Sequence, residues 1–315
     1  MIVFFTKIVL AGSVLLATLG FFNASGAAES SAACKAETGQ VIWKRLAYQG
    51  KHFLGKVETT VSLTELSALA AQKVLIQAPK RSALQVSTAP VKVIDIQTAV
   101  NPLIGAKDLT RSQAWFSPGD AAALQRIRFR QGDDVWQNFY RFTKKGVYRL
   151  RKKPGHGQEK NLAPEHWTKI KESFYPYPDK RPGSQAVMEP AGLMYLASAR
   201  VFMEQSAPRR LYVFDRKQLH EVTVHVSGRL RLKASYIEKN RENDIQREGM
   251  IDALKISFKP RALAPRDEQP EDFSFMGLKG DFDIYIDAAT GVPVQISGRI
   301  SRIGKVDIRL QTLAF

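Results

Sequence analysis

The chain has 315 residues, 44% of them hydrophobic, and carries 47 Lys and Arg against 30 Asp and Glu, a formal charge of +17. Such a composition excludes an intrinsically disordered chain, and the excess of cations favours anionic partners without deciding the fold. Its single cysteine, Cys34, excludes an intrachain disulfide framework and a cysteine-based zinc cluster, so burial must hold the domain together.

At the amino terminus Lys7 precedes an apolar run from Ile8 to Phe22, and small residues follow from Ala24 to Ala28. This is the pattern of a secretory signal over residues 1–28, with cleavage after Ala27 or Ala28 and export to the periplasm. An uncleaved anchor is the alternative, since residues 1–22 just reach the ~20 apolar positions needed to span a bilayer. Lipidation at Cys34 is disfavoured, because Ser31, Ala32 and Ala33 separate it from the apolar run. Residues 29–315 are expected to form a single domain.

Residues 40–61 read as a strand pair with a turn-rich joint from Gly50 to Gly55. In 62–78 the spacing of Leu63, Leu66, Leu69 and Ala70 predicts a short helix or irregular turn, and 84–100 predicts strands split near Pro90. Residues 113–116, 124–130, 135–142 and 147–151 predict successive antiparallel strands separated by Pro118-Gly119, Gly132-Asp133 and Lys145-Gly146. Two helices follow. Pro164 opens one near 163–174, with Trp167, Ile170 and Phe174 on one face; the other, near 190–203, is apolar nearly all round and therefore expected to be buried on the concave side of a sheet.

Strands resume at Leu211, with a long one over 222–236. At the carboxyl end Asp281, Asp283, Tyr285 and Asp287 alternate with Phe282, Ile284 and Ile286, a period of two that gives a strand one wet and one dry face. A turn over 287–291 and a return from Pro293 lead to a last strand with Val306, Ile308 and Leu310 on its dry side. The predicted class is mostly β with α: a curved antiparallel sheet, or half-barrel, with helices packed on its concave side.

No motif announces chemistry. His220, Glu221 and His225 miss the zinc-protease spacing, Asp281, Asp283 and Asp287 lack the glycine and distal glutamate of a calcium loop, and 298–305 has the wrong spacing for a phosphate loop. No catalytic residue, metal or cofactor is therefore expected. The basic residues are better ordered: Arg126, Arg128 and Arg130 share one strand face, and Arg229, Arg231 and Lys233 another. Each row fits either an anionic partner or a solvated face cross-paired with acids such as Asp281 and Asp283.

Aromatics from Trp136 to Tyr148 interleave with Arg141, Arg149 and Arg151, a pattern shared with single-strand nucleic-acid binders. Export argues against that partner. An outer-membrane barrel is not expected either, because counting back in twos from Phe315 meets Leu313, Gln311, Arg309 and Asp307, which is no lipid-facing register.

From about Ser112 onward the chain resembles an uncharacterised family of bacterial periplasmic proteins, a domain of unknown function. The resemblance lies in 174–178 ahead of the helix bearing Leu193, Tyr195, Leu196 and Arg200, and in the closing order of strand, turn and strand. The Asp287-x-x-Thr290-Gly291-x-Pro293 turn is similar to one in the lipoprotein carriers LolA and LolB. The chain departs from the family pattern in its first hundred residues, which fit poorly, in Pro190, which opens the helix where a polar cap is expected, and in its higher charge.

The resemblance implies a half-barrel closed by helices and an apolar cavity between them. Leu193, Leu196, Phe282, Ile284, Val306 and Ile308 would line that cavity, and Arg126, Arg128, Arg130, Arg229, Arg231 and Lys233 would form a basic rim. The expected function is that of a periplasmic, non-enzymatic binding or carrier protein for a hydrophobic or anionic envelope ligand such as a lipid or lipoprotein. The alternatives are an assembly factor that grips an envelope protein or cell-wall polymer through its basic face, and a hydrolase with its site in the loops of 152–184.

Overall fold

Alternation of apolar and polar residues runs through most of the chain, and strands follow from it. The computed structural model describes residues 39–79, 82–178, 185–202, 207–240, 243–263, 272–301 and 303–315, all within one compact unit. The expected signal segment and Cys34 lie outside the described residues.

The first half is a meander: β1 (Arg45–His52), β2 (Gly55–Leu66), the short helix α1 (Ala68–Val74), β3 (Val91–Pro102), β4 (Asp108–Phe116), β5 (Ala123–Gln131), β6 (Trp136–Phe142), β7 (Gly146–Lys153) and β8 (Lys169–Pro176). Each of these strands pairs antiparallel with the next. The second half contains β9 (Val187–Met188), the helix α2 (Pro190–Ser198), β10 (Arg209–Asp215), β11 (Gln218–Lys239), β12 (Asp244–Ala262), β13 (Ser274–Phe275), β14 (Leu278–Asp287), β15 (Pro293–Ile300) and β16 (Gly304–Ala314).

β16 pairs with β1 and so joins both halves into one large curved, predominantly antiparallel sheet. The long hairpin β11–β12 reaches past its neighbours, and the end of β11 returns to pair in parallel with β16, Ile237 opposite Thr312. Strands β16, β15, β14, β12 and β11 therefore close on themselves, which gives the sheet its barrel-like character.

The dry face of the terminal strands is this ring's interior. Ile256, Ile284, Ile296 and Ile308 stand opposite one another across β12, β14, β15 and β16, all fully buried. Beside them Phe258 and Phe282 stack at 4.8 Å, and Phe275 stacks on Phe282 at 4.7 Å. Burial of each such side chain contributes roughly 1.5–3 kcal/mol. On the wet face Asp283 accepts from Ser257 and pairs with Lys255, while Asp307 accepts from Ser297.

Helix α2 is short because its chemistry starts and stops it. Pro190 occupies the first turn, where no N–H is needed, and Glu189 is the polar cap, its side chain accepting from the Gly192 N–H at 2.9 Å. The end is a left-handed residue, Arg200 at φ 61°, which turns the chain back. All nine helical residues are buried, against β10, β13, β14 and β15.

The Asp287–Gly291 turn docks on the end of this helix. Gly291 has φ 78°, and a β-carbon there would sit 2.9 Å from the Ser198 carbonyl oxygen. Gly291→Ala is thus expected to cost about 1–3 kcal/mol in urea unfolding, from backbone strain and the clash together; an unchanged midpoint would contradict this packing.

The expected helix near 163–174 is not there. Residues 158–161 and 164–166 form single 3₁₀ turns, and 169–176 is strand β8 on β7. Trp167 is fixed by its indole N–H, which donates to the carbonyls of Glu159 and Leu162, while Ile170 of the supposed apolar face is mostly exposed. Pairing to the open edge of β7 outweighed a three-residue helical spacing. The sheet also starts later than expected near Pro90, with 84–90 irregular and β3 beginning at Val91.

Candidate anion-binding cleft

Strand parity and two tight turns assemble this site. Arg126, Arg128 and Arg130 lie on one face of β5, opposite Tyr140, Asn138 and Trp136 of β6. In turn Tyr140 and Asn138 oppose Arg149 and Arg151 of β7. Five guanidinium groups and three hydrogen-bonding or aromatic side chains thus share one face of three adjacent strands. All of them but the buried Arg126 floor a cleft of about 550 Å³ whose other wall includes Arg216 and Ser274.

Acids neutralise part of this charge. Arg126 is buried and its Nη1 donates to Asp215 Oδ1 at 2.9 Å, with Glu189 Oε2 at 3.7 Å and Ser112 Oγ at 2.9 Å from its Nε. Arg130 makes a two-point contact with Asp108, 2.9 and 2.7 Å. Arg151 reaches Asp134 at 3.5 Å, a carboxylate it shares with Lys153.

Arg128 and Arg149 have no carboxylate within ion-pair distance among the described residues. Arg128 lies 5.5 Å from the Trp136 ring, which Arg151 also approaches at 5.6 Å, and Arg149 lies 5.1 Å from the Tyr175 ring. Among the described residues Arg149 otherwise donates only to Ser173 Oγ, at 3.3 Å. Three buried polar atoms here find no hydrogen-bond partner among the described residues: Asn138 Oδ1, Arg149 Nε and Arg151 Nε. Asn138 and Arg149 are only 4% and 6% exposed, and a buried donor or acceptor left unmade costs about 1–3 kcal/mol. Turned over about its last torsion, the Asn138 amide would offer two further donors to the same space.

The electrostatics agree with the geometry. Burial and the neighbouring Arg126 push the Arg128 guanidinium down to about 10, so its charge is held at a cost that an anion would relieve. Burial opposes ionisation of Asp215, but Arg126, Arg128 and Arg216 together outweigh it and hold its carboxyl below the usual value.

The remaining sequence candidates fall elsewhere. Arg126 belongs to a buried ion pair rather than to a rim. Arg229, Arg231 and Lys233 stand on the outer half of β11, where Arg231 pairs with Asp252 at 3.7 Å and Lys233 with Glu248 at 3.4 Å, all four side chains largely exposed. Asp281 and Asp283 are not the partners of either row; Asp283 pairs with Lys255. Leu193, Leu196, Phe282, Ile284, Val306 and Ile308 are all buried in one packed apolar cluster. His220 meets Phe273 edge to face at 5.3 Å, and no grouping of three or more metal-ligating residues exists among the described residues.

Asn138, Arg149 and Arg151 were absent from the sequence candidates for this site. Their signal was the register: once Gly132-Asp133 and Lys145-Gly146 are taken as hairpin turns, Arg128, Asn138 and Arg151 fall in one cross-strand row.

No protein-family model matches the sequence, and no curated protein matches it. Among solved structures, the chain is similar to a β-barrel-like protein of a domain of unknown function from Brucella abortus, with a TM-score of 0.46 and 7% identity over 88% of this chain and 98% of that one. No helix among the described residues is long and apolar enough to cross a membrane.

Proposed function

We propose that this chain is an exported, non-enzymatic binding protein of the cell envelope whose cleft takes a small ligand bearing two or more anionic oxygens. The carrying observation is the pair Arg128 and Arg149, held in one cleft without a carboxylate partner among the described residues, beside the orphaned polar atoms of Asn138, Arg149 and Arg151. A native interior seldom leaves so many groups unsatisfied, and a phosphate or carboxylate ligand would accept from the Arg149 and Arg151 Nε–H groups and, with its amide turned over, from Asn138. The ligand is placed in this cleft rather than among Leu193, Leu196 and Ile284, because an apolar chain would have to displace well-packed side chains there. A lipid or lipoprotein ligand would then be recognised through its anionic head.

The other readings have less support. An assembly factor acting through Arg229, Arg231 and Lys233 would rely on cations of which two already face acids across the hairpin. For a hydrolase, two of the three carboxylates that line the cleft, Asp108 and Asp134, are engaged with Arg130 and Arg151.

Calorimetric titration with inorganic phosphate, pyrophosphate and citrate tests the reading. At least one is expected to bind saturably and more weakly as salt rises. Arg128→Gln and Arg149→Gln are each expected to weaken binding about tenfold or more, since a charge-assisted hydrogen bond is worth roughly 1.5–3 kcal/mol, while Arg229→Gln should leave it unchanged. Absence of saturable binding to all three, or full affinity in Arg149→Gln, would overturn the proposal.

A further inference from the structure

Two neighbouring hairpin tips carry bare apolar side chains. Phe53 and Leu54 lie between β1 and β2, and Leu103 and Ile104 lie between β3 and β4. The tips are joined, because the Leu103 N–H donates to the Leu54 carbonyl at 2.8 Å. Phe53, Leu103 and Ile104 are 79%, 73% and 85% exposed, values that arise only on a projecting surface. Turns normally carry Gly, Asn, Asp or Ser, so a cluster of this kind at two adjacent tips calls for a partner.

The chemistry around the tips narrows that partner. Lys51 and Lys56 face each other at the base of the first hairpin. Lys56 pairs with Glu58, whose carboxyl is lowered chiefly by that lysine, with Lys107 also contributing. Lys279 and Arg299 share a shallow depression with Leu54, where Asp272 accepts from Lys279. Cations thus outnumber acids around an apolar point, in a chain of net charge +17.

A stable protein interface buries on the order of 1,000 Å² or more over a broad surface, which two projecting turns do not offer. An anionic bilayer fits: the apolar tips enter the headgroup boundary, and the lysines stay at the level of the phosphates. We infer that the paired tips bearing Phe53, Leu54, Leu103 and Ile104 dock the protein on the surface of an anionic lipid bilayer. Lys279, Ile300 and Ser301 border both this end and the anion cleft, so docking would bring the mouth of the cleft toward the headgroups.

Docking through the tips does not depend on what the cleft binds. Its test is flotation of the full chain with vesicles of phosphatidylglycerol and phosphatidylcholine against vesicles of phosphatidylcholine alone. Every variant keeps the same amino terminus, so the apolar run of residues 8–22 contributes equally throughout.

Wild type should partition preferentially to the anionic vesicles, and Phe53→Ser with Ile104→Ser should lower that partition about tenfold or more, the scale set by burial of one such side chain. Phe53→Trp should add tryptophan fluorescence that brominated acyl chains quench. The pair Arg128→Gln and Arg149→Gln should partition as wild type, which separates failure of the cleft from failure of the tips.

Equal partition of wild type and the Ser variant, equal binding to both vesicle types, no quenching of the added fluorescence in Phe53→Trp, or loss of binding in the cleft pair would each overturn the inference. So would a vesicle-independent dimer abolished by the Ser substitutions, which would assign the tips to a second copy of the chain.

Discussion

Replacing Arg126 by methionine is expected to destabilise the fold by about 3–5 kcal/mol, the range for removing one partner of a buried ion pair. Asp215 is fully buried and accepts from Arg126 at 2.9 Å and from the Ser274 N–H at 3.0 Å. Glu189 is also buried, 3.7 Å from the same guanidinium. Methionine would fill much of the space but leave two carboxylates facing each other with their shared cation gone. Either they take up protons or water enters, and both routes cost stability.

Urea unfolding near neutral pH measures the loss. Adding Asp215→Asn to the Met variant should recover part of it, since the stranded charge is then removed. A loss below about 1 kcal/mol, the scale of an exposed pair, would show that the cluster does not carry the structural charge balance assigned to it.

That cluster also ties the cleft to the rest of the molecule. Arg126 sits on β5, Asp215 at the end of β10, Ser274 on β13 and Glu189 at the start of α2, so one guanidinium links the meander to the second half of the chain. The next arginine in its row, Arg128, lines the cleft with no carboxylate within ion-pair distance among the described residues. The same side chains that make the floor rigid make it cationic.

How much of this was legible in the sequence differs between its parts. Local alternation with explicit turns is a short-range signal, and β5, β6, β7, β14, β15 and β16 fall where it placed them. α2 was legible as a helix because its apolar residues surround the axis, and Pro190 fits it once Glu189 is recognised as the cap. Residues 163–174 were not legible, since an edge pairing to β7 is decided by a partner distant in sequence, while Trp167, Ile170 and Phe174 happen to share a helical spacing.

The cleft was half legible. Arg126, Arg128 and Arg130 show in the sequence as a row, but whether a row is solvated or buried depends on what lies above it. Asp215 and Glu189 lie 89 and 63 positions further on and give no local sign of pairing with Arg126. The interleaving of Arg149 and Arg151 with aromatics was visible, yet its meaning lies in the register across β6 and β7, where Trp136 and Asn138 complete the floor. The exposed hairpin tips gave no signal, because Phe53 and Leu54 fall in the turn-rich joint and Leu103 and Ile104 between predicted strands, where nothing local tells whether an apolar side chain is bare or covered.

Glu189 leads to the other large effect, a pH dependence of stability opposite in sign to that of most paired carboxylates. Its Oε1 caps α2, but its Oε2 has no hydrogen-bond partner among the described residues. Burial pushes the carboxyl up to about 7 from an ordinary 4.5, against the opposing pull of Arg126 and the Gly192 and Ala191 N–H groups. Between those two values the folded protein holds a proton that the unfolded chain has released. Stability from this group is therefore full below pH 4.5 and is lost as pH rises toward 7, by up to about 1.4 kcal/mol per pH unit.

Asp215 acts in the other direction and in another window: its depressed pKa contributes stability above the ordinary carboxylate range and loses it on acidification. Glu189→Gln keeps an oxygen to cap the helix and removes the titration. Urea unfolding of wild type and Glu189→Gln from about pH 4.5 to about 7.5 should give a difference that moves in favour of the variant by on the order of 2–3 kcal/mol as pH rises, every other group cancelling between the two proteins. Parallel curves would mean that Glu189 is ionised throughout, and that Arg126 overcomes the burial of both its carboxylates rather than of Asp215 alone.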